Sequence, residues 1–335
     1  MRIAVDAMGG DFAPAEIVKG SIDAGQRFPH IERIYLVGDE VAIKKELDAA
    51  GAVPSSIEIV HASEVVEMGE APAAAIRKKK DSSIGRAVDL VKAGQADAVF
   101  SAGNTGAAVA ASTLKLRTLQ GVDRPAIAIV IPSMTGPSIL LDAGANTDCA
   151  PQWLCQFAVM GLAYSRSILK KPNPTVGLLN IGGEDSKGNE ATKEAFRMLD
   201  QSNLNFKGNV ESQDLFDGNV DVVVTDGFVG NVVLKTSESV ARSIGRWLKE
   251  ELTRNPLRLA GALMLRKGIQ SIKERSDPET HGGAPLLGVN GVCIIGHGSS
   301  SSVAVCNALR VSSEWVRQNI NQDIEEQVKQ FGSAS

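Results

Sequence analysis

The sequence predicts an α/β fold: a three-layer α/β/α arrangement around a mostly parallel sheet, with a protruding helical arm, in one domain spanning residues 1–335. Three observations point there. Short β-branched runs alternate with helical stretches almost to the end of the chain, the pattern of a sheet covered on both faces. Glycine and small polar residues crowd just after these runs, where open α/β sheets bind ligands. A long helical stretch begins after Asn231. With 335 residues, 43% of them hydrophobic, the chain can bury a sizeable core.

The elements follow in order. Arg2–Val5 leads into Asp6-Ala-Met-Gly-Gly-Asp11, and strands are expected at Ile34–Val37 and Ile57–Val60. Ala98–Phe100 opens into Ser101-Ala-Gly-Asn-Thr-Gly106, followed by the small-residue run Ala107–Ser112. Ile127–Val130 and Ile139–Leu141 flank Pro132–Pro137, read as a bend between two halves of the fold, and the second of them runs into Asp142-Ala-Gly-Ala-Asn146. Val176–Leu179 precedes Asn180–Asp185, Val222–Val224 precedes Thr225–Asn231, and Val292–Ile295 precedes Gly296–Ser300. Within the arm, Asn255 and Pro256 restart a helix, because asparagine caps free amides and proline at the first helical position lacks the amide that would be orphaned. Six polar loops in the same relative place predict one composite site.

Composition excludes several classes. A formal net charge of −4 disfavours a nucleic-acid partner. Neither an apolar run of about 18 residues nor a signal peptide is seen, so a cytoplasmic protein is expected. Cys149, Cys155, Cys293 and Cys306 lack metal-like spacing and read as reduced thiols of the core or its margin. No GxSxG elbow, Walker sequence or GxGxxG fingerprint occurs, which removes the usual support for serine hydrolases, P-loop NTPases and classical dinucleotide-binding dehydrogenases. What remains is an anion site without an obvious nucleophile.

A glycine turn ahead of a helix points backbone amides at an anion, and the helix dipole favours it. Asn104 and Thr105 add side-chain donors at such a helix start, although a plain capped turn has the same form. Asn231 and Lys235, four residues apart, share a helical face, so Lys235 is either a charge for a phosphate or developing oxyanion or an exposed surface lysine. Lys187 lies in a loop beside Glu184 and Asp185, where ion pairing competes with catalysis. His297, between two glycines at a strand end, is placed to donate to a carbonyl oxygen or carry a proton, whereas His30, His61 and His281 read as structural. Asp6, Asp11, Asp142 and Asp226 suit either magnesium or loop scaffolding, and no metal is assigned.

Taken together, Val5-Asp-Ala-Met-Gly-Gly-Asp11 with Ala13-Pro14, Ser101–Gly106, Leu140-Leu-Asp-Ala-Gly-Ala-Asn146, Gly177-Leu-Leu-Asn-Ile-Gly182, Val224–Phe228 with Gly230-Asn231, and Gly282-Gly-Ala-Pro-Leu-Leu-Gly288 with His297-Gly-Ser299 resemble the phosphate acyltransferase family called PlsX, over nearly the whole chain. Phe12 departs from the histidine usual in the first loop, which leaves His297 as the better histidine candidate, and Ser301 stands where Asp or Asn is common. The resemblance implies a homodimer whose fold is similar to phosphotransacetylases and to isocitrate and isopropylmalate dehydrogenases. It implies a long-chain acyl-[acyl carrier protein] and inorganic phosphate as substrates, an acyl phosphate for phospholipid synthesis as product, and no cofactor. Phosphate is itself an oxyanion nucleophile, so the enzyme must mainly position it and steady the carbonyl oxygen. On this reading Asn104 and Thr105 take the phosphate. Lys187, Asn231 and His297 polarise the thioester or protect the leaving thiolate, and Asp142, Asn146, Asn180 and Asp226 order the loops. A short-chain phosphotransacylase using acyl-CoA, a nicotinamide-linked decarboxylating dehydrogenase and a non-enzymatic carrier- or membrane-binding scaffold remain as alternatives.

The arm, about 237–278, is locally cationic: between Arg246 and Arg275 stand eight basic residues against three acidic ones. Leu257, Leu259, Ala260, Leu263, Met264 and Leu265 form an apolar patch flanked by Arg258, Arg266 and Lys267, as an interfacial membrane helix or an acidic carrier-protein site would use. Packing on a twin helix in a dimer is the alternative. The resemblance favours peripheral attachment at the inner face of the cell membrane, handing product to an acyl-phosphate-using glycerol-3-phosphate acyltransferase.

Overall fold

The computed structural model describes residues 1–276, 279 and 282–334. His281 and the last two residues of the expected arm lie outside them. The β-branched runs become β1 (Arg2–Asp6), β2 (Arg33–Gly38), β3 (Ile57–His61), β4 (Ala98–Ser101), β5 (Ala126–Ser133), β6 (Gly136–Leu141) and β7 (Val176–Leu179), followed by β8 (Phe206–Val210), β9 (Val222–Val224), β10 (Ala284–Leu287) and β11 (Val292–Ile295). They form one eleven-stranded sheet in the order β3-β2-β1-β4-β11-β10-β5-β6-β9-β7-β8. The predicted strands are all present. Two more, β8 and β10, escape the hydrophobic pattern because Gly208, at φ +88°, interrupts one and Pro285 the other.

Alternation along each strand sorts its side chains onto two faces. Ile3, Val5, Phe100, Leu141, Leu178, Val222 and Ile294 pack into one core, and Ala4, Val99, Leu140, Val223, Cys293 and Ile295 into the other. The helices in order are α1 (Ala15–Arg27), α2 (Glu40–Ala50), α3 (Pro72–Lys78), α4 (Ser83–Lys92), α5 (Thr105–Leu116), α6 (Pro151–Ser167) and α7 (Glu190–Asp200), then α8 (Ser212–Asp217), α9 (Gly227–Thr253), α10 (Pro256–Met264), α11 (Arg266–Ser276), α12 (Ser302–Arg317) and α13 (Ile320–Ala334). The first core takes its helical half from α1, α6, α7, α12 and α13, and the second from α3, α4, α5 and α8. The expected three layers follow from this division.

Sheet direction sorts the six polar loops into two groups of three. β3, β2, β1, β4 and β11 run parallel, as do β6, β9, β7 and β8, but the β11–β10, β10–β5 and β5–β6 pairs are antiparallel. The loops after β1, β4 and β11 therefore leave one end of the sheet, and those after β6, β7 and β9 the other. The six loops make two corners. Pro132–Pro137 is likewise not a bend between halves: Pro132 pairs with Pro137, and Ser133 with Gly136, in the β5–β6 hairpin. The halves are joined instead by β10, which pairs with β11 through Ala284 and Pro285 and with β5 through Leu286 and Leu287.

The arm is α9 to α11. Asn255 caps α10 through its side chain, accepting from the Arg258 amide at 2.9 Å, and Glu251 pairs with both Arg254 and Arg258 across the junction. At its base, α9 starts so close to the β6 loop that a methyl group at Gly230 would lie 1.9 Å from the Asp142 carbonyl oxygen. Gly245, farther along the same helix, faces open space. Gly230→Ala is expected to destabilise the protein by about 3 kcal/mol, whereas Gly245→Ala should stabilise it by about 0.5–1 kcal/mol through helix propensity. Urea unfolding of the two variants measures both.

Candidate active site

The first corner is assembled on a buried carboxylate. Asp6, at the end of β1, accepts from Ser101 Oγ at 2.7 Å and from the Met8 amide at 3.3 Å. Burial pushes its pKa up, and bonds from Ser83, Ser101 and the Met8 and Gly9 amides oppose that shift. Glycine is required above it, since a methyl group at Gly9 would sit 2.7 Å from both the Asp6 carboxylate and the Gly103 nitrogen. The third loop is tied in by the Asp11 amide, which donates to the Gly298 carbonyl at 2.7 Å.

Asn104 caps α5, its Oδ1 accepting from the Ala107 amide at 3.0 Å. Its Nδ2 faces the carbonyls of Glu67, Met68 and Glu70 at 3.1–3.2 Å. Both ends of this side chain are thus engaged in holding the 67–70 loop, so an anion at the helix start would meet the Thr105 hydroxyl and first-turn amides rather than the Asn104 amide group. Nearby, the exposed His297 ring has Nδ1 2.8 Å from Ser299 Oγ, and Nδ1 accepts from the Ser299 amide at 3.2 Å. An amide can only donate, so the neutral ring carries its proton on Nε2, the nitrogen free to face a substrate.

The second corner also has a buried carboxylate. Asp142 accepts from the amides of Ile127, Gly144, Ala145 and Asn146 and from Asn146 Nδ2, at 2.7–3.2 Å. Burial raises its pKa against these bonds. Asn146 also donates to the Pro125 carbonyl, Asp226 caps α9 by accepting from the Val229 amide, and Asn180 bonds to the Lys187 carbonyl and to Asn209. These four side chains serve the loops. Around them stand groups open to a ligand: Lys187, loosely paired with Glu184 at 3.8 Å, and Asn231, exposed on the first turn of α9 beside Gly144. Lys235 shares that face but pairs with Glu238 at 3.1 Å.

Of the residues the sequence singled out, Asn104, Thr105 and His297 belong to the loops of the first corner, and Lys187, Asn231, Lys235, Asp142, Asn146, Asn180 and Asp226 to the loops of the second and the start of α9. Sequence reading missed the Glu67–Glu70 loop, which carries no motif and reaches the site only through Asn104. Asp6, which the sequence left between magnesium and loop scaffolding, bonds here to Ser101 and the Met8 amide beneath glycines that signal a close backbone approach. Among the described residues no three His, Cys, Asp or Glu side chains gather as a metal site. His30 is a packing histidine, with Nε2 2.9 Å from Ser313 Oγ.

Comparison with known proteins is consistent with this framework. A family model described as "Fatty acid synthesis protein" matches residues 1–323. A phosphate acyltransferase of Desulfitobacterium hafniense is 51% identical over 335 residues, covering 100% of this chain and 99% of its own. One from Geobacter sulfurreducens is 48% identical over 329 residues, covering 98% and 94%. The chain belongs to the phosphate acyltransferase family. It is an acyltransferase whose fold is shared with a phosphotransacetylase of Streptococcus pyogenes (TM-score 0.61, 17% identity, 95% and 94% of the two chains). A 4-hydroxythreonine-4-phosphate dehydrogenase of Klebsiella pneumoniae shares it too (TM-score 0.53, 13% identity, 94% and 98%). As an acyltransferase it presents one thiol near the second corner, Cys149, whose pKa is pushed up to about 12 by burial and by Asp142 and Asp226. The thiolate needed for a covalent acyl intermediate is therefore scarce at neutral pH. Cys149→Ser is expected to keep acyl transfer within about twofold, a range small against the roughly tenfold carried by 1.4 kcal/mol, and iodoacetamide at pH 8 should leave the rate unchanged. A turnover assay before and after alkylation checks both.

Proposed function

We propose that this acyltransferase moves a long-chain acyl group from an acyl-[acyl carrier protein] thioester to inorganic phosphate, giving an acyl phosphate for phospholipid synthesis. The observation that carries the reading is the first corner, where the loop of the His297 Nε2–H donor and the α5 start, with Thr105 exposed, are joined through Gly298, Met68 and Asn104. Phosphate held at α5 attacks the thioester carbon, the carbonyl oxygen gains charge, and a directed N–H donor stabilises it. The carbon–sulfur bond then breaks and the thiolate leaves, taking up a proton from solvent. Lys187 and Asn231 are assigned to the same turnover as a cation and an amide that meet substrate charge at the second corner. The names of the relatives support phosphate as the acceptor, and the cationic arm supports an acidic carrier protein as the donor's bulk.

Release of free carrier thiol from a long-chain acyl carrier protein should require phosphate and yield acyl phosphate. Alanine at Lys187, Asn231 or His297 should each slow it at least about tenfold, roughly 1.4 kcal/mol of transition-state stabilisation. Near wild-type rates in all three would remove the assignment, and activity with acyl-CoA alone would make this a phosphotransacylase.

The arm completes the proposal. Val240, Ile244, Trp247 and Leu248 are exposed along α9, and Leu257 (84% exposed), Leu263 (65%) and Met264 (88%) at its tip, so we assign the helix to a homodimer contact and the tip to peripheral attachment at the inner face of the cell membrane. No described helix is long and apolar enough to cross a membrane. There the product would pass to an acyl-phosphate-using glycerol-3-phosphate acyltransferase. Flotation with anionic liposomes should carry the protein upward, and glutamate at Leu263 and Leu265 should abolish it; retained flotation of that variant would refute membrane attachment through the tip.

A further inference from the structure

The first corner is not wholly polar. Phe12 and Met68 are 55% and 53% exposed, and both belong to segments that converge on one glycine. The Asp11 amide, next to Phe12, donates to the Gly298 carbonyl at 2.7 Å, and a methyl group built on Gly298 would lie 3.3 Å from Met68 Cε. Gly298 directly follows His297. The other side of Met68 is fixed by Asn104, whose Nδ2 meets the carbonyls of Glu67, Met68 and Glu70. The helix cap that forms the anion-binding turn thus also holds an apolar side chain out over the histidine loop.

Single exposed apolar residues are ordinary on protein surfaces. These two differ because they flank a polar corner, and because the amide of Asn104 is engaged in positioning the loop that carries one of them. A site that joins directed donors to a small apolar face suits a ligand that is polar at one end and hydrocarbon immediately beyond. The acyl thioester of the proposed reaction has this form, with its first methylenes one bond from the carbonyl. Methionine, unbranched and polarizable, adapts to a flexible chain, and phenylalanine gives a flat wall.

We propose that Phe12 and Met68 form the subsite for the carbonyl-proximal methylenes of the acyl chain and favour donors that carry them over an acetyl donor. The inference rests on the acyl-transfer reading above. Phe12 then has a role that a histidine at the same place would not fill, since it offers hydrocarbon where imidazole would offer a hydrogen-bonding group.

The test compares phosphate-dependent thiol release from palmitoyl- and acetyl-carrier thioesters, the second lacking the methylenes the subsite would hold, as the ratio of their kcat/KM values. Phe12→Ser with Met68→Ser should lower the palmitoyl-to-acetyl ratio at least tenfold. Val41→Ser, which removes a more exposed apolar side chain from α2, should leave the ratio as in the parent. An unchanged ratio in the double variant, or an equal fall for both donors, overturns the subsite while leaving the transfer reaction in place. Absence of phosphate-dependent release in the parent protein overturns the reaction itself, and the subsite with it.

Discussion

Four residues hold this protein's two halves in one sheet. Ala284 and Pro285 pair with β11, Leu286 and Leu287 with β5, and through them five parallel strands on one side continue into a second set running the other way. Each of the two ladders is only two residues long, which is how a proline can stand at the middle of the sheet: a longer central ladder would need the amide it lacks. Leu286 and Leu287 have no exposed surface, so their packing into opposite cores supplements the few hydrogen bonds. The direction change made here assigns every polar loop to its corner, and the distribution of the candidate chemistry follows from it.

Both corners are built by the same means. A buried carboxylate at a strand end, Asp6 or Asp142, accepts local amide, hydroxyl or carboxamide donors, and glycines let neighbouring backbone approach to distances no side chain would allow. Burial favours the protonated form of each carboxylate and the gathered donors favour the ionised one; the balance still lies above the ordinary value in both. Carboxylates engaged in this way order the loops around them. The groups left to face a ligand are a hydroxyl, an imidazole N–H, a lysine and an asparagine, a set that can position an anion and stabilise charge on oxygen without a covalent intermediate.

The arm obeys a different logic. Its caps and ion pairs are local, so its helices form from their own sequence, but among the described residues Val240, Ile244, Trp247, Leu257, Leu263 and Met264 stay exposed. A 27-residue helix extends about 40 Å at 1.5 Å per residue, enough to carry its tip well away from the sheet. Exposed apolar side chains concentrated there, beside a local excess of arginine and lysine, stand at a distance from the polar strand-end loops.

Much of this was legible from residue order. β-branched runs located nine strands because alternation and burial are properties of short segments, and Asn255-Pro256 marked a helix start because capping is local. Glycine clusters identified the strand-end loops, and His297 stood out by its glycine frame. Strand direction across the sheet was not legible, since it depends on which distant segments pair, and β10 is too short and too interrupted by proline to be seen alone. For the same reason the sequence could present Asn104 as a phosphate donor, whereas contacts with Glu67–Glu70, some 34–37 residues away, engage its amide. The sequence by itself determined the alternation of elements, the loops and the residue types available for chemistry; tertiary structure alone decided which loops share a corner and which side chains remain free, because both are set by pairings between segments remote along the chain.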